Sequence, residues 1–145
     1  MWSFLKELGN YVRMGAKESA EMAQGKRIES IKIDNDTGVS MVHFVMQCGG
    51  ELDLFDDGQS CCEHRYFTCD DDLTQFWGAE IVDVVLKPGG ETENDDVHEW
   101  AFVEVVTSKG SFTFTAHNDH NGYYGGINLS VMWKDPTTSI GGFNG

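Results

Sequence analysis

The feature that most constrains this chain is a change of hydrophobic period at Gly25. Before it, Phe4, Leu5, Leu8, Tyr11, Val12, Gly15, Ala16, Ala20 and Ala23 recur at spacings of three and four. Lys6, Glu7, Arg13, Lys17, Glu18 and Glu21 fall largely on other faces. That spacing predicts an amphipathic helix over residues 3–24, with Ser3 as its N-cap and Gly25 as its stop. After Gly25 the period falls to two. Val42, Phe44, Met46 and Cys48 alternate with Met41, His43, Val45 and Gln47, and turn residues interrupt the chain at intervals of about ten.

Turn signals divide the rest of the chain. Asp34-Asn35-Asp36-Thr37-Gly38, Gly49-Gly50 and Asp56-Asp57-Gly58 delimit two hairpins. Cys61 to Cys69 reads as extended, Leu73 to Gly78 as a short turn of helix or loop, and Ile81 to Lys87 as a β-branched strand. Pro88 to Asp96 reads as a mobile acidic loop holding Glu91, Glu93, Asp95 and Asp96. Trp100 to Val106 and Ser111 to Ala116 form a hairpin around Ser108-Lys109-Gly110, and a last strand runs from Ile127 to Trp133. The expected fold class is β-rich α+β: an antiparallel sheet or sandwich of six to eight short strands with one N-terminal amphipathic helix. Residues 1–25 are expected to form the helix, 26–133 the β-rich domain and 134–145 a flexible tail. The helix either packs on the domain's own sheet or makes a homo-oligomer through residues 3–24.

Charge narrows the partners. Ten Lys and Arg face 24 Asp and Glu, a formal charge of −14. Direct nucleic-acid binding runs on clustered cations, so this balance argues against it. It leaves open an acidic protein that occupies a basic groove on a partner, with charge that merely keeps the protein soluble as the other reading. Nine Phe, four Trp and four Tyr suffice for a core, which excludes wholesale disorder. The acids gather in turns, and Asp70, Asp71, Asp72, Asp95 and Asp96 are the candidate partner-binding residues. Met1-Trp2-Ser3-Phe4-Leu5-Lys6-Glu7 has neither a basic n-region nor a continuous apolar run, so we expect no signal peptide, no membrane span and a cytoplasmic setting. Cys48, Cys61, Cys62 and Cys69 are then expected as thiols.

Two segments carry chemistry-bearing side chains. Cys61, Cys62 and His64 are of the types that zinc prefers, with His117 and His120 as further metal candidates. Yet neighbouring cysteines on a strand point to opposite faces, which sets structural packing against zinc ligation. No other cofactor is expected. The second segment runs His117-Asn118-Asp119-His120-Asn121-Gly122-Tyr123-Tyr124-Gly125-Gly126. It reads either as a polar hairpin tip or as a loop converging on a ligand, with Trp100, Asn121, Tyr123 and Tyr124 as the candidate binding residues. Phosphate-binding loops, the nucleophile elbow and the metalloprotease His-Glu-x-x-His are absent from the sequence, and no catalytic residue is assigned.

Cys61-Cys62-Glu63, Trp77-Gly78-Ala79-Glu80-Ile81, Trp100-Ala101-Phe102, Thr107-Ser108-Lys109-Gly110 and Asn121-Gly122-Tyr123-Tyr124 occur in that order. This succession, over roughly residues 26–133, resembles an uncharacterised family of small domains from tailed bacteriophages and prophages. Ser60 stands where that family tends to have Asp, His120 where it has Ser, and Gly125-Gly126 where it has Ser-Glu. The resemblance implies a phage-encoded protein acting in the host cytoplasm. The functional expectation is a non-enzymatic accessory protein that binds a host macromolecule, such as an anti-CRISPR-like counter-defence factor presenting an acidic surface. A module or sponge for a nucleotide signal is the alternative, and a zinc-stabilised domain the second alternative.

Overall fold

The computed structural model describes residues 16–36, 39–56, 63–93, 96–121, 126–127 and 129–136. The described residues form one helix and eight strands: α1 (Ala16–Ala23), β1 (Ile28–Asp34), β2 (Ser40–Met46), β3 (Glu51–Asp56), β4 (Glu63–Thr68), β5 (Ile81–Glu93), β6 (Val97–Thr107), β7 (Gly110–His120) and β8 (Leu129–Lys134). A 3-10 turn, Leu73–Phe76, lies between β4 and β5. The strands form two four-stranded antiparallel sheets, ordered β1-β2-β3-β8 and β4-β7-β6-β5.

Alternation decides what each sheet buries. On β2, Val42, Phe44 and Met46 are buried, and on β7 Phe112, Phe114 and Ala116 are buried. These two sets face each other, with Phe44 stacked on Phe112 at 6.2 Å and edge-on to Phe114 at 5.8 Å. Phe76 of the 3-10 turn closes on Phe112 at 4.6 Å. Ala20 and Ala23, members of the predicted helical stripe, are fully buried where α1 packs against β8 and β3. The sheets also meet along one margin. Ile28 N–H donates to Ala79 O (2.9 Å) and Ile81 N–H to Lys26 O (3.0 Å), joining the start of β1 to the start of β5. Near β4, the Asn35 side chain donates to Phe67 O and accepts from Phe67 N–H, both at 3.0 Å. It thereby occupies the exposed edge of the second sheet as a neighbouring strand would.

Of three expectations, one is covered only in part and two need adjusting. Of the predicted helix, the described part is Ala16–Ala23, and residues 1–15 lie outside the described residues. The acidic loop expected from Pro88 is a strand as far as Glu93, paired with β6 to its end. Pro88 and the glycines are accommodated because β5 is an edge strand with a bulge between Pro88 and Gly90. The third concerns His117 to His120, which is not a loop but the end of β7. The residues of the tail beyond Pro136 lie outside the described residues.

Candidate functional site

The outward side of the second sheet carries a contiguous set of rings. On β4, His64, Tyr66 and Thr68 alternate with buried Glu63, Arg65 and Phe67. In register with them, His64 faces Asp119, Tyr66 faces His117 and Thr68 faces Thr115. On β6, His98 lies opposite Asp119 and Trp100 opposite His117. The rings touch in sequence: His64 to Tyr66 at 4.7 Å, Tyr66 stacked on His117 at 4.5 Å, His117 edge-on to His98 at 5.1 Å, and His98 to Trp100 at 5.5 Å.

A hydrogen-bonded chain holds this platform. His98 Nδ1 lies 2.7 Å from Asp119 Oδ1, His98 Nε2 lies 3.0 Å from His117 Nδ1, and His117 Nε2 lies 2.8 Å from Thr68 Oγ1. With both rings neutral, one assignment of protons satisfies all three contacts. His98 Nδ1–H donates to Asp119, His117 Nδ1–H donates to His98, and the Thr68 hydroxyl donates to His117. Burial, reinforced by repulsion from His98, holds the His117 imidazole below its ordinary pKa and favours the neutral ring. The Tyr66 hydroxyl donates to Asp119 Oδ2 (3.2 Å), and burial and Asp119 together push its pKa up. The rings are thus locked in orientation while remaining accessible, with the side chains of His98 and Asp119 37% and 40% exposed.

Behind the platform the inward side chains form a polar cluster. The Arg65 guanidinium, 3% exposed, donates to Asp56 Oδ1 (2.7 Å), Glu63 Oε2 (2.8 Å) and Gly126 O (3.0 Å). Asn118 donates to Glu63 Oε2 (3.0 Å) and Gly126 O (3.1 Å). Glu99 lies 2.6 Å from His120 and accepts from Gly126 N–H (2.8 Å). Gly126 is therefore clamped on both its donor and its acceptor.

The predicted site residues separate. Trp100 belongs to the ring platform and lines a cleft of about 180 Å³ with Pro88, Gly89, Gly90 and Glu99. Asn121 lines a different cleft of about 200 Å³ with Asp96, Asp119 and His120. Tyr123, Tyr124, Cys61, Cys62 and Asp95 lie outside the described residues. Of the metal candidates, His64 and His117 face outward while His120 is buried inward against Glu99, so these imidazoles do not converge. Asp71 accepts from Thr113 N–H (3.0 Å), and Asp72 caps the 3-10 turn through Thr74 N–H and Oγ1. Asp70 and Asp96 are exposed. Cys48 and Cys69 are free thiols, and burial pushes the Cys69 thiol up. Sequence motifs do not mark Tyr66, Thr68 and His98, although alternation along β4 and β6 is the signal that would have placed them together.

Among the described residues no helix is long and apolar enough to cross a membrane. Residues 21–129, from within α1 to the first residue of β8, match a family described as a domain of unknown function, DUF7448. No curated protein and no solved structure matches the chain.

Proposed function

The chain belongs to the DUF7448 family, whose function is unknown, and from its own residues we propose that it is a non-enzymatic binding protein. Its platform of rings on the second sheet docks on a basic surface of a host macromolecule. The observation that carries this is the platform itself, with His64, Tyr66, His117, His98 and Trp100 in unbroken contact around the carboxylate of Asp119. Aromatic faces and a carboxylate are the groups that receive arginine and lysine side chains.

Four of the described cations pair with the protein's own acids. Arg27 pairs with Glu80, Arg65 with Asp56 and Glu63, Lys87 with Glu104 and Lys134 with Asp53. The resulting field, from a formal charge of −14, would speed association and make it salt-sensitive. The resemblance of the Cys61-Cys62-Glu63 and Asn121-Gly122-Tyr123-Tyr124 segments to phage-type domains points to a phage origin and so to the host cytoplasm as the setting. A nucleotide sponge draws less support, since no Lys or Arg lines either cleft among the described residues to hold a phosphate.

The test is capture from a bacterial lysate at low and high salt. The captured protein is identified, and its affinity is then measured against Tyr66→Ala, Trp100→Ala and Asp119→Asn. We expect loss at high salt and at least about tenfold weaker binding for the Trp100 variant. A captured partner indifferent to all three changes and to salt would sink the proposal.

A further inference from the structure

We propose that His43, Glu51 and Asp53 form a binding site for one divalent transition-metal ion, zinc being the best match, on the outer side of the first sheet. The site is distinct from the Cys and His residues that the sequence suggested, and it is independent of the binding platform. Its geometry starts from a hairpin. Gln47-Cys48-Gly49 forms a three-residue loop between β2 and β3, closed by Met46 N–H to Gly50 O and Gly49 N–H to Met46 O, both at 2.9 Å. Gly49 takes the positive φ of 93° that such a loop requires. This fixes the register, setting His43 opposite Asp53 and Val45 opposite Glu51. His43, Asp53 and Glu51 therefore share the face opposite to Val42, Phe44, Leu52 and Leu54.

Three potential ligand atoms converge there, all within 4.8 Å of one another. His43 Nδ1 lies 2.8 Å from Glu51 Oε2 and 2.8 Å from Asp53 Oδ1. An imidazole nitrogen carries at most one hydrogen, so two carboxylate oxygens converge on a point where one proton can serve them. Asp53 supplies a second, independent observation. It is 1% exposed although it points away from the sandwich core, and its Oδ2 accepts no hydrogen bond. Its neighbour there is the ammonium of Lys134, 3.3 Å away on a side chain that is 61% exposed and so free to leave. A buried carboxylate beside an imidazole and a second carboxylate is a ligand set from which a metal ion would displace the Lys134 ammonium.

The chemistry of the set selects the ion. One nitrogen and two oxygens suit zinc, with metal–ligand distances of about 2.0–2.2 Å and three protein ligands leaving one position for water or a ligand. In a tetrahedron of that size the ligand atoms stand about 3.4 Å apart. The two 2.8 Å contacts must therefore open by roughly half an ångström. His43 and Glu51 are only partly buried and can rotate to allow it. Calcium, which takes about six to eight oxygens, is poorly served by this set.

The experiment is titration of the metal-stripped full chain with zinc by calorimetry, and with cobalt(II) followed by its visible absorption. The variants are His43→Ala, Glu51→Gln and Lys134→Gln, each checked for native circular dichroism. We expect one ion per chain and at least a tenfold loss of affinity in the first two variants. Lys134→Gln should bind zinc several-fold more tightly, because it removes the competing ammonium. Where a ligand variant fails to fold, nitrogen-15 spectra of the wild-type imidazoles replace it. Zinc should shift His43 Nδ1 and leave His64, His98 and His117 in place. Absence of saturable one-to-one binding, binding unchanged in both ligand variants, or a zinc-induced shift at another histidine instead would overturn the proposal.

Discussion

Asn118 offers the sharpest test of how the inward polar cluster holds the second sheet. Its side chain is fully buried, and its Nδ2 donates to Glu63 Oε2 at 3.0 Å and to Gly126 O at 3.1 Å. A hydrogen bond to a charged group is worth about 1.5–3 kcal/mol and a neutral one about 0.5–1.5 kcal/mol. Removing both with Asn118→Ala should therefore cost about 2–4 kcal/mol. Asn118→Asp keeps the shape but turns both donations into repulsions and buries a charge beside Glu63. We expect about 3–5 kcal/mol at pH 7, a large share of the roughly 5–15 kcal/mol that stabilises an ordinary domain. The two variants should part company with pH. Burial and Glu63 raise the introduced carboxyl above its unfolded value near 4, so its deficit is small below that pH. The deficit then grows as pH rises through the folded value. Urea denaturation followed by tryptophan fluorescence at pH 7.5 and pH 4.5 measures both. Equal deficits for the two variants at both pH values, or a cost under about 1 kcal/mol for Asn118→Asp at pH 7.5, would refute the reasoning.

Two further outcomes rest on local geometry. A Cβ at Gly89 would overlap Trp100 O and Trp100 Cδ1. Gly89→Ala should therefore destabilise by about 1–3 kcal/mol and shift the tryptophan emission, as denaturation and fluorescence would reveal. At Gly25 the added methyl meets nothing within 4 Å, and Gly25→Ala should cost only the strain of its positive φ, about 1 kcal/mol. His117, held below its ordinary pKa by burial and by His98, contributes stability that is fully present above about pH 6.5. That contribution is lost as pH falls toward the folded value. A nitrogen-15 titration should find His117 titrating below that range, and His117→Gln should lose the corresponding acid slope in denaturation.

The legible parts of the fold were those whose buried face is apolar. Val42, Phe44 and Met46 on β2 and Phe112, Phe114 and Ala116 on β7 announce their alternation directly. Where the inner face becomes polar the signal disappears. Asn118 and His120 point inward like Phe114, but toward Arg65, Glu63 and Glu99, so the end of β7 reads as a loop. Pro88-Gly89-Gly90 misleads for a different reason. The tryptophan that lies against these glycines comes from β6, and no local pattern records it. The ring platform depends on β4 pairing with β7, a long-range choice that composition does not encode. The His43–Asp53 pair was within reach, because the register of a hairpin is set by its turn.

The order β1-β2-β3-β8 has a consequence for how the chain acquires its structure. β3 finds its second neighbour only in β8, with Glu51 opposite Lys134 and Asp56 opposite Leu129. During synthesis β1, β2 and β3 leave the ribosome well before β8, and the open side of β3 must wait while β4 to β7 are made. β5, β6 and β7 meanwhile form a meander of neighbouring hairpins that can close early. Each sheet thus holds a meander that can close locally, and each is completed by one long-range pairing, β3 with β8 and β4 with β7. Until then the backbone groups of β3 are open to any passing strand, which makes β8 the protein's own guard against misassembly.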